Sequence, residues 1–221
     1  MNEVVVNFNL DDLKGGVVLP SIGLFYNLAS LLRFPFITPS QGRPTILDIG
    51  ACVGNFTIAV KRLLPNAVIH AFEPYPPAWP YFLRNTQGLS DIRLHKIALG
   101  NRNGRLKLSF SKGYDDMSQA SAYGDEDNPL AWDVPVMQLD RMSSGAPGLV
   151  KIDVEGYEAE VIRGGEKMLR EYHPMVVLEI KKHHQQRAGG SPDALIDLMA
   201  SLGYGPPNDI NGHDFFFEKA E

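Results

Sequence analysis

From residue 45 onward the apolar positions alternate between two rhythms. Short β-branched runs, apolar at most positions, give way to stretches where apolar residues recur every three or four places. The run at 45–49 predicts a first strand. After a glycine-containing turn, Phe56, Ala59, Val60, Leu63 and Leu64 then fall at i, i+3, i+4, i+7 and i+8, one buried helical stripe. A second strand is expected at 68–72. The proline-rich segment 74–80 should open a helix reaching about residue 86, because proline is tolerated in a first turn. A third strand is expected at 92–97, followed by strands at 105–110 and 134–139. Between those two, residues 111–130 are polar and Asp-rich and read as a variable surface loop.

The first rhythm returns at 149–154. It precedes a helix carrying Val161, Ile162, Met168 and Leu169, and a further strand at 175–180. Ser191 is placed to cap a helix with Pro192 at its first position, Leu195, Leu198, Met199 and Leu202 on one face, and Gly203 just past its end. Residues 214–218 predict a last strand. Upstream, Ser21 could cap a helix over 21–34 with Leu24, Leu28, Leu31 and Leu32 on one face. Strands alternating with helices make this an α/β chain with a mainly parallel sheet. Its 221 residues suit one domain, with 1–44 as a helical cover and 45–221 as the core.

Composition narrows the partners. A formal net charge of -5, without a dense Lys/Arg run, disfavours nucleic acid as substrate. Cys52 is the only cysteine and has no internal partner, which fits a reducing cytoplasm. The N-terminus lacks the basic and apolar segments of a leader, so a cytoplasmic location is expected. The apolar stretch 22–37 is broken by Arg33 and Pro35 and is short of the roughly 20 residues a bilayer needs, so no membrane span is expected. Self-association into a homo-oligomer is compatible with the sequence.

The chemistry gathers at the carboxyl ends of the strands, where open α/β sheets bind ligands. Strand one runs into Asp48-Ile49-Gly50-Ala51-Cys52-Val53-Gly54, whose glycines let the backbone turn sharply and approach a ligand. Glu73 follows strand two, nineteen positions after Gly54, where a carboxylate can accept both ribose hydroxyl protons. Together they point to an adenosine-containing cofactor. A pyrophosphate fits poorly, because Cys52 and Asn55 stand where the dinucleotide fingerprint needs glycine. S-adenosylmethionine carries no phosphate, and its ammonium group favours a carboxylate such as Asp48.

With these residues in view, the chain resembles the FkbM-type methyltransferases, a branch of the class I S-adenosylmethionine-dependent fold. The likeness runs through ILDIGACVGNFT (46–57), HAFEP (70–74), IALGNRNG (97–104), QLDRM (138–142), LVKIDVEGYEAEVIRGG (149–165) and MVVLEI (175–180). Cys52 departs from it, since the family usually has Asn there. The resemblance implies a Rossmann-like, seven-stranded, mostly parallel sheet in the order 3-2-1-4-5-7-6 with helices on both faces and the last strand antiparallel. It implies that Asp48 and the Gly50–Gly54 backbone hold the methionine part, Glu73 the ribose, and Ala98 and Leu99 the adenine edge. Asp153 would face both cofactor and acceptor. The expected cofactor-binding set is Asp48, Gly50, Ala51, Gly54, Asn55, Phe56, Glu73, Pro74, Ala98, Leu99 and Asp153.

Transfer to a neutral hydroxyl also needs a proton acceptor. Asp153 is the leading candidate, with Glu155 beside it and His183 or His184 as the alternative base, since an ordinary imidazole titrates near neutrality. The carboxylates show no diagnostic metal spacing, so no metal is expected. The expected activity is O-methylation of a carbohydrate or secondary metabolite, a small hydroxylated acceptor. A nicotinamide-dependent oxidoreductase and a non-catalytic cofactor-binding relative are the competing readings.

Overall fold

The computed structural model describes residues 42–109, 120–124, 131–142 and 145–221. The expected leading helix over 21–34, and the variable loop apart from 120–124, lie outside the described residues. Four parallel strands form the centre: β1 (Thr45–Ile49), β2 (Val68–Phe72), β7 (Leu149–Ile152) and β8 (Met175–Glu179). Each is buried along nearly its whole length, as strands covered on both faces must be. With β3 (Ile92–His95), β9 (Asn208–Asp209) and β10 (Asp214–Phe217) they make a seven-stranded sheet in the order β3-β2-β1-β7-β8-β10-β9. Only β10 runs against the other strands, pairing Phe215 with Leu178 and Phe216 with Val177 on one side and meeting β9 on the other. This is the order and orientation expected.

Alternate side chains of one strand feed two cores. Leu47 and Ile49 point with Phe72, Val150, Ile152 and Leu178 towards α3 (Glu158–Gly164), α4 (Glu166–Tyr172) and α6 (Pro192–Ser201). Ile46 points with Ile69, Leu149 and Val177 towards Phe56, Ala59 and Val60 of α1 (Asn55–Leu63). Each fully buried aliphatic side chain contributes about 1.5–3 kcal/mol. α6 starts as the sequence predicts, with Ser191 Oγ accepting the Ala194 N–H at 3.1 Å and Pro192 in the first turn. Among the described residues, no helix is long and apolar enough to cross a membrane.

Two expectations need correction. The third strand stops at His95, and Ala98–Leu99 (β4) leaves to pair with β6 (Trp132–Met137), which also pairs β5 (Gly104–Leu108) in a separate three-stranded sheet. The proline-rich segment opens a helix as expected, a 3-10 turn at Pro76–Ala78 leading directly into α2 (Trp79–Asn85) with proline in its first turn. The single helix expected to carry Val161, Ile162, Met168 and Leu169 is two, broken at Gly165. There a Cβ on Gly164 would lie 1.9 Å from the Gly100 carbonyl oxygen, so close packing on β4 demands glycine. Residues 182–187, to which the sequence pattern assigns no element, form α5 (Lys182–Arg187), which has no apolar stripe and buries His184 and Gln185 instead.

Candidate functional site

A cleft of about 310 Å³ opens at the carboxyl ends of β2, β1, β7 and β8, within the usual size of small-molecule sites. The turn after β1 forms its floor. Gly50, Cys52 and Gly54 all take left-handed backbone (φ 79, 47 and 92), and a Cβ on Gly50 would sit 1.8 Å from the Asp153 carbonyl oxygen. Gly50 and Ala51 both donate to the Phe72 carbonyl at 3.0 Å, which folds the turn back onto the end of β2.

Glu73 stands beside that turn, buried. One carboxylate oxygen accepts the Cys52 N–H and the other the Tyr75 N–H, each at 2.7 Å. Burial pushes its carboxyl up to about 7 despite these two bonds. Burial, reinforced by Glu73, pushes the Cys52 thiol up to about 12, so that sulfur stays protonated. Pro74, Ala98, Leu99, Asn55, Phe56 and Ala51 line the same cleft, whereas Gly54 shapes the turn without reaching the wall.

Asp48 does not reach the wall either. It is fully buried beneath the turn, where Thr57 Oγ1 donates to it at 2.6 Å and Lys151 Nζ lies 3.5 Å away. Lys151 was not singled out from the sequence, although a lysine inside an otherwise apolar strand is itself a signal. Its ammonium donates to the Gly50 carbonyl at 2.7 Å and lies 3.3 Å from Asp153, tying β1 to β7. Burial works against its charge, but Asp153 and Asp48 hold it above the usual lysine range. Asp153 keeps 33% of its side chain exposed, in the cleft. Burial pushes its carboxyl up, Lys151 pulls it back, and Glu179 and Asp214 add to the rise.

The sequence profile of methyltransferase FkbM domains matches residues 48–206. The chain belongs to this family. It is similar to Methyltransferase 1 of Beauveria bassiana (30% identity; 58% of this chain and 61% of that protein). It is also similar to the 2-O-methyltransferase NoeI of Sinorhizobium fredii (32% identity; 67% and 65%). The chain thus spans a little under two thirds of the length of these relatives. The fold is shared with methyltransferase FkbM from Methylobacillus flagellatus, with a TM-score of 0.53 at 16% identity over 91% of this chain and 56% of that one. The family does not favour a nicotinamide-dependent oxidoreductase.

In this FkbM domain the loop after β7 and the start of α5 carry the remaining charges. Glu155 is buried, with left-handed backbone (φ 57), and burial pushes its carboxyl up to about 8 with Asp153 and Glu179 adding to the rise. Its carbonyl accepts from Ser121 Oγ at 2.7 Å and from the Arg187 guanidinium at 2.8 Å. The carboxylate that serves the start of α3 is Glu158, which accepts the Val154 and Gly156 N–H groups. The two histidines separate. His183 is exposed, lies outside the cleft wall, and its imidazole is pushed down by burial and by His184. His184 is buried, with Nε2 3.1 Å from Glu155 and Nδ1 3.4 Å from Glu179. One residue's rotation along α5 turns His183 to solvent and His184 to the acids.

Proposed function

We propose that this chain transfers a methyl group from S-adenosylmethionine to a hydroxyl oxygen of a carbohydrate or secondary metabolite. One observation carries the reading: a single cleft joins Glu73, on one side of the glycine turn, to Asp153 and Glu155 on the other. The residues fit the cofactor. Each Glu73 oxygen accepts one backbone N–H and keeps a lone pair for a ribose hydroxyl. The Gly50–Gly54 backbone would hold the methionine part, and Ala98 and Leu99 the adenine. Asp48 is enclosed by Thr57 and Lys151, so Asp153 is the carboxylate open to the cleft.

When bound, S-adenosylmethionine supplies a methyl carbon activated by its sulfonium. The protein's own work is alignment and exclusion of water. The acceptor hydroxyl gives its proton to Asp153, with Glu155 beside it, while Lys151 fixes the Asp153 carboxylate. That NoeI is a 2-O-methyltransferase supports oxygen as the acceptor atom. His183 keeps no part in this reading, being turned away from the cleft.

The test is a screen of hydroxylated sugars and natural products with isotopically labelled methyl donor, alongside calorimetry with S-adenosylhomocysteine. Transfer to an oxygen of one acceptor class is the expected result. Binding of S-adenosylhomocysteine without transfer would indicate a non-catalytic relative, and absence of both would refute the proposal.

A further inference from the structure

The charged end of the cleft holds a three-residue group drawn from three separate segments. Glu155 comes from the loop after β7, Glu179 from the end of β8, and His184 from the first turn of α5. One donor atom from each lies within 4.8 Å of the others. All three side chains are withdrawn from solvent, with 7%, 6% and 1% of their surface exposed.

What makes the group unusual is that its inward atoms meet little beyond one another, His184 Nε2 lying 3.1 Å from Glu155 Oε2 and Nδ1 3.4 Å from Glu179 Oε2. Glu155 Oε2, Glu179 Oε2 and His184 Nδ1 are buried without a well-formed hydrogen bond, although Lys181 pairs with the other Glu179 oxygen. Burying such atoms unpaired costs free energy, so a native arrangement of this kind calls for a missing partner. The partner should be positive, since two carboxylates converge here with Asp153 and Asp214 nearby, against Lys181 and Lys151.

We infer that Glu155, Glu179 and His184 form a binding site for one divalent cation, of the class that accepts two carboxylate oxygens and one imidazole nitrogen, with Mn²⁺ as its best representative. Ligand atoms about 2.1 Å from a metal lie up to about 4.2 Å apart, so the observed spacing needs only a small contraction. Glu155 and Glu179 both line the cleft, whereas His184 closes the site from behind. Open coordination positions would therefore face the acceptor. There a bound hydroxyl would lose its proton to Asp153 more readily, a consequence that rests on the methyl-transfer reading, whereas the site itself does not.

The alternative occupant is a proton, with an imidazolium bridging the two acids. The full chain, stripped of metal with a chelator, should be titrated with Mn²⁺ while the free ion is followed by electron paramagnetic resonance. One equivalent should bind saturably, and Glu179→Gln and Glu155→Gln should each weaken it by about tenfold or more. Paramagnetic broadening of the His184 ring signals in the unsubstituted chain gives a second readout that does not depend on a variant folding. Absence of saturable binding of Mn²⁺, Mg²⁺ and Zn²⁺, or binding that leaves His184 unbroadened, would overturn the inference. A chain that binds S-adenosylhomocysteine but no cation sinks only this proposal. One that binds Mn²⁺ in this way yet transfers no methyl group sinks only the methyl-transfer reading.

Discussion

Glu73 makes cofactor affinity depend on pH in a way that can be worked out in advance. Burial holds its carboxyl at about 7, against an ordinary 4.5. A ribose whose hydroxyls donate to the carboxylate favours the ionised form, so binding below neutrality must first expel a proton. If the bound state restores the ordinary value, the ionised fraction available falls from about three quarters at pH 7.5 to about 3% at pH 5.5. Affinity for S-adenosylhomocysteine should then weaken by about 20-fold over that interval, or about 2 kcal/mol. The sign for stability is the reverse: the contribution of neutral Glu73 is fully present below pH 4.5 and is lost as pH rises through about 7. Isothermal titration calorimetry in buffers of different ionisation enthalpy measures both the affinity and the proton released. Glu73→Gln should bind more weakly at pH 7.5 and lose most of the slope. A flat wild-type profile, or a Glu73→Gln slope equal to wild type, would refute the reasoning.

Four further outcomes follow from the geometry. Lys151→Met leaves Asp48 buried beside Thr57 without its cation and should cost about 3–5 kcal/mol in urea denaturation; a loss below about 1 kcal/mol would refute the Asp48–Lys151 pair as a stabilising contact. Gly50→Ala meets both a left-handed φ of 79 and the Asp153 carbonyl, so it should lose more than about 2 kcal/mol or fail to accumulate as folded protein by circular dichroism. Cys52→Asn places a residue tolerant of left-handed backbone at φ 47 and should raise stability by about 0.5 kcal/mol in the same denaturation assay. Asp153→Asn should slow methyl transfer by about 10²- to 10⁴-fold at nearly unchanged S-adenosylhomocysteine affinity; a parallel loss of affinity would make Asp153 the anchor of the ligand ammonium instead.

The parts of this protein legible from sequence are those where one residue type answers one local demand. Gly50 and Gly54 mark left-handed turns, Ser191 and Pro192 a helix start, and the apolar runs at 149–152 and 175–179 strands covered on both faces. The parts that escaped depend on rotation or on distance along the chain. Asp48 and Lys151 are 103 positions apart, and only the β1–β7 register places them side by side. Which of two adjacent histidines faces the acids is set by the phase of α5, a helix with no apolar stripe to reveal it. Ala98 and Leu99 line the cleft from a strand of the small sheet, beyond the end of β3 at His95, a departure that no local pattern marks.

Ser121 gives the variable segment a mechanical tie to the charged wall. Its backbone pairs in both directions with Ser109, and its hydroxyl donates to the carbonyl of Glu155, to which the Arg187 guanidinium also donates. Exchanging this segment between relatives to change acceptor preference would therefore also release the residue that keeps Glu155 in its left-handed conformation. Chimeras that replace 120–124 wholesale should confound altered selectivity with a loosened wall. Grafts that retain Ser121 and Arg187 can vary the flanking positions while Glu155 keeps its anchor.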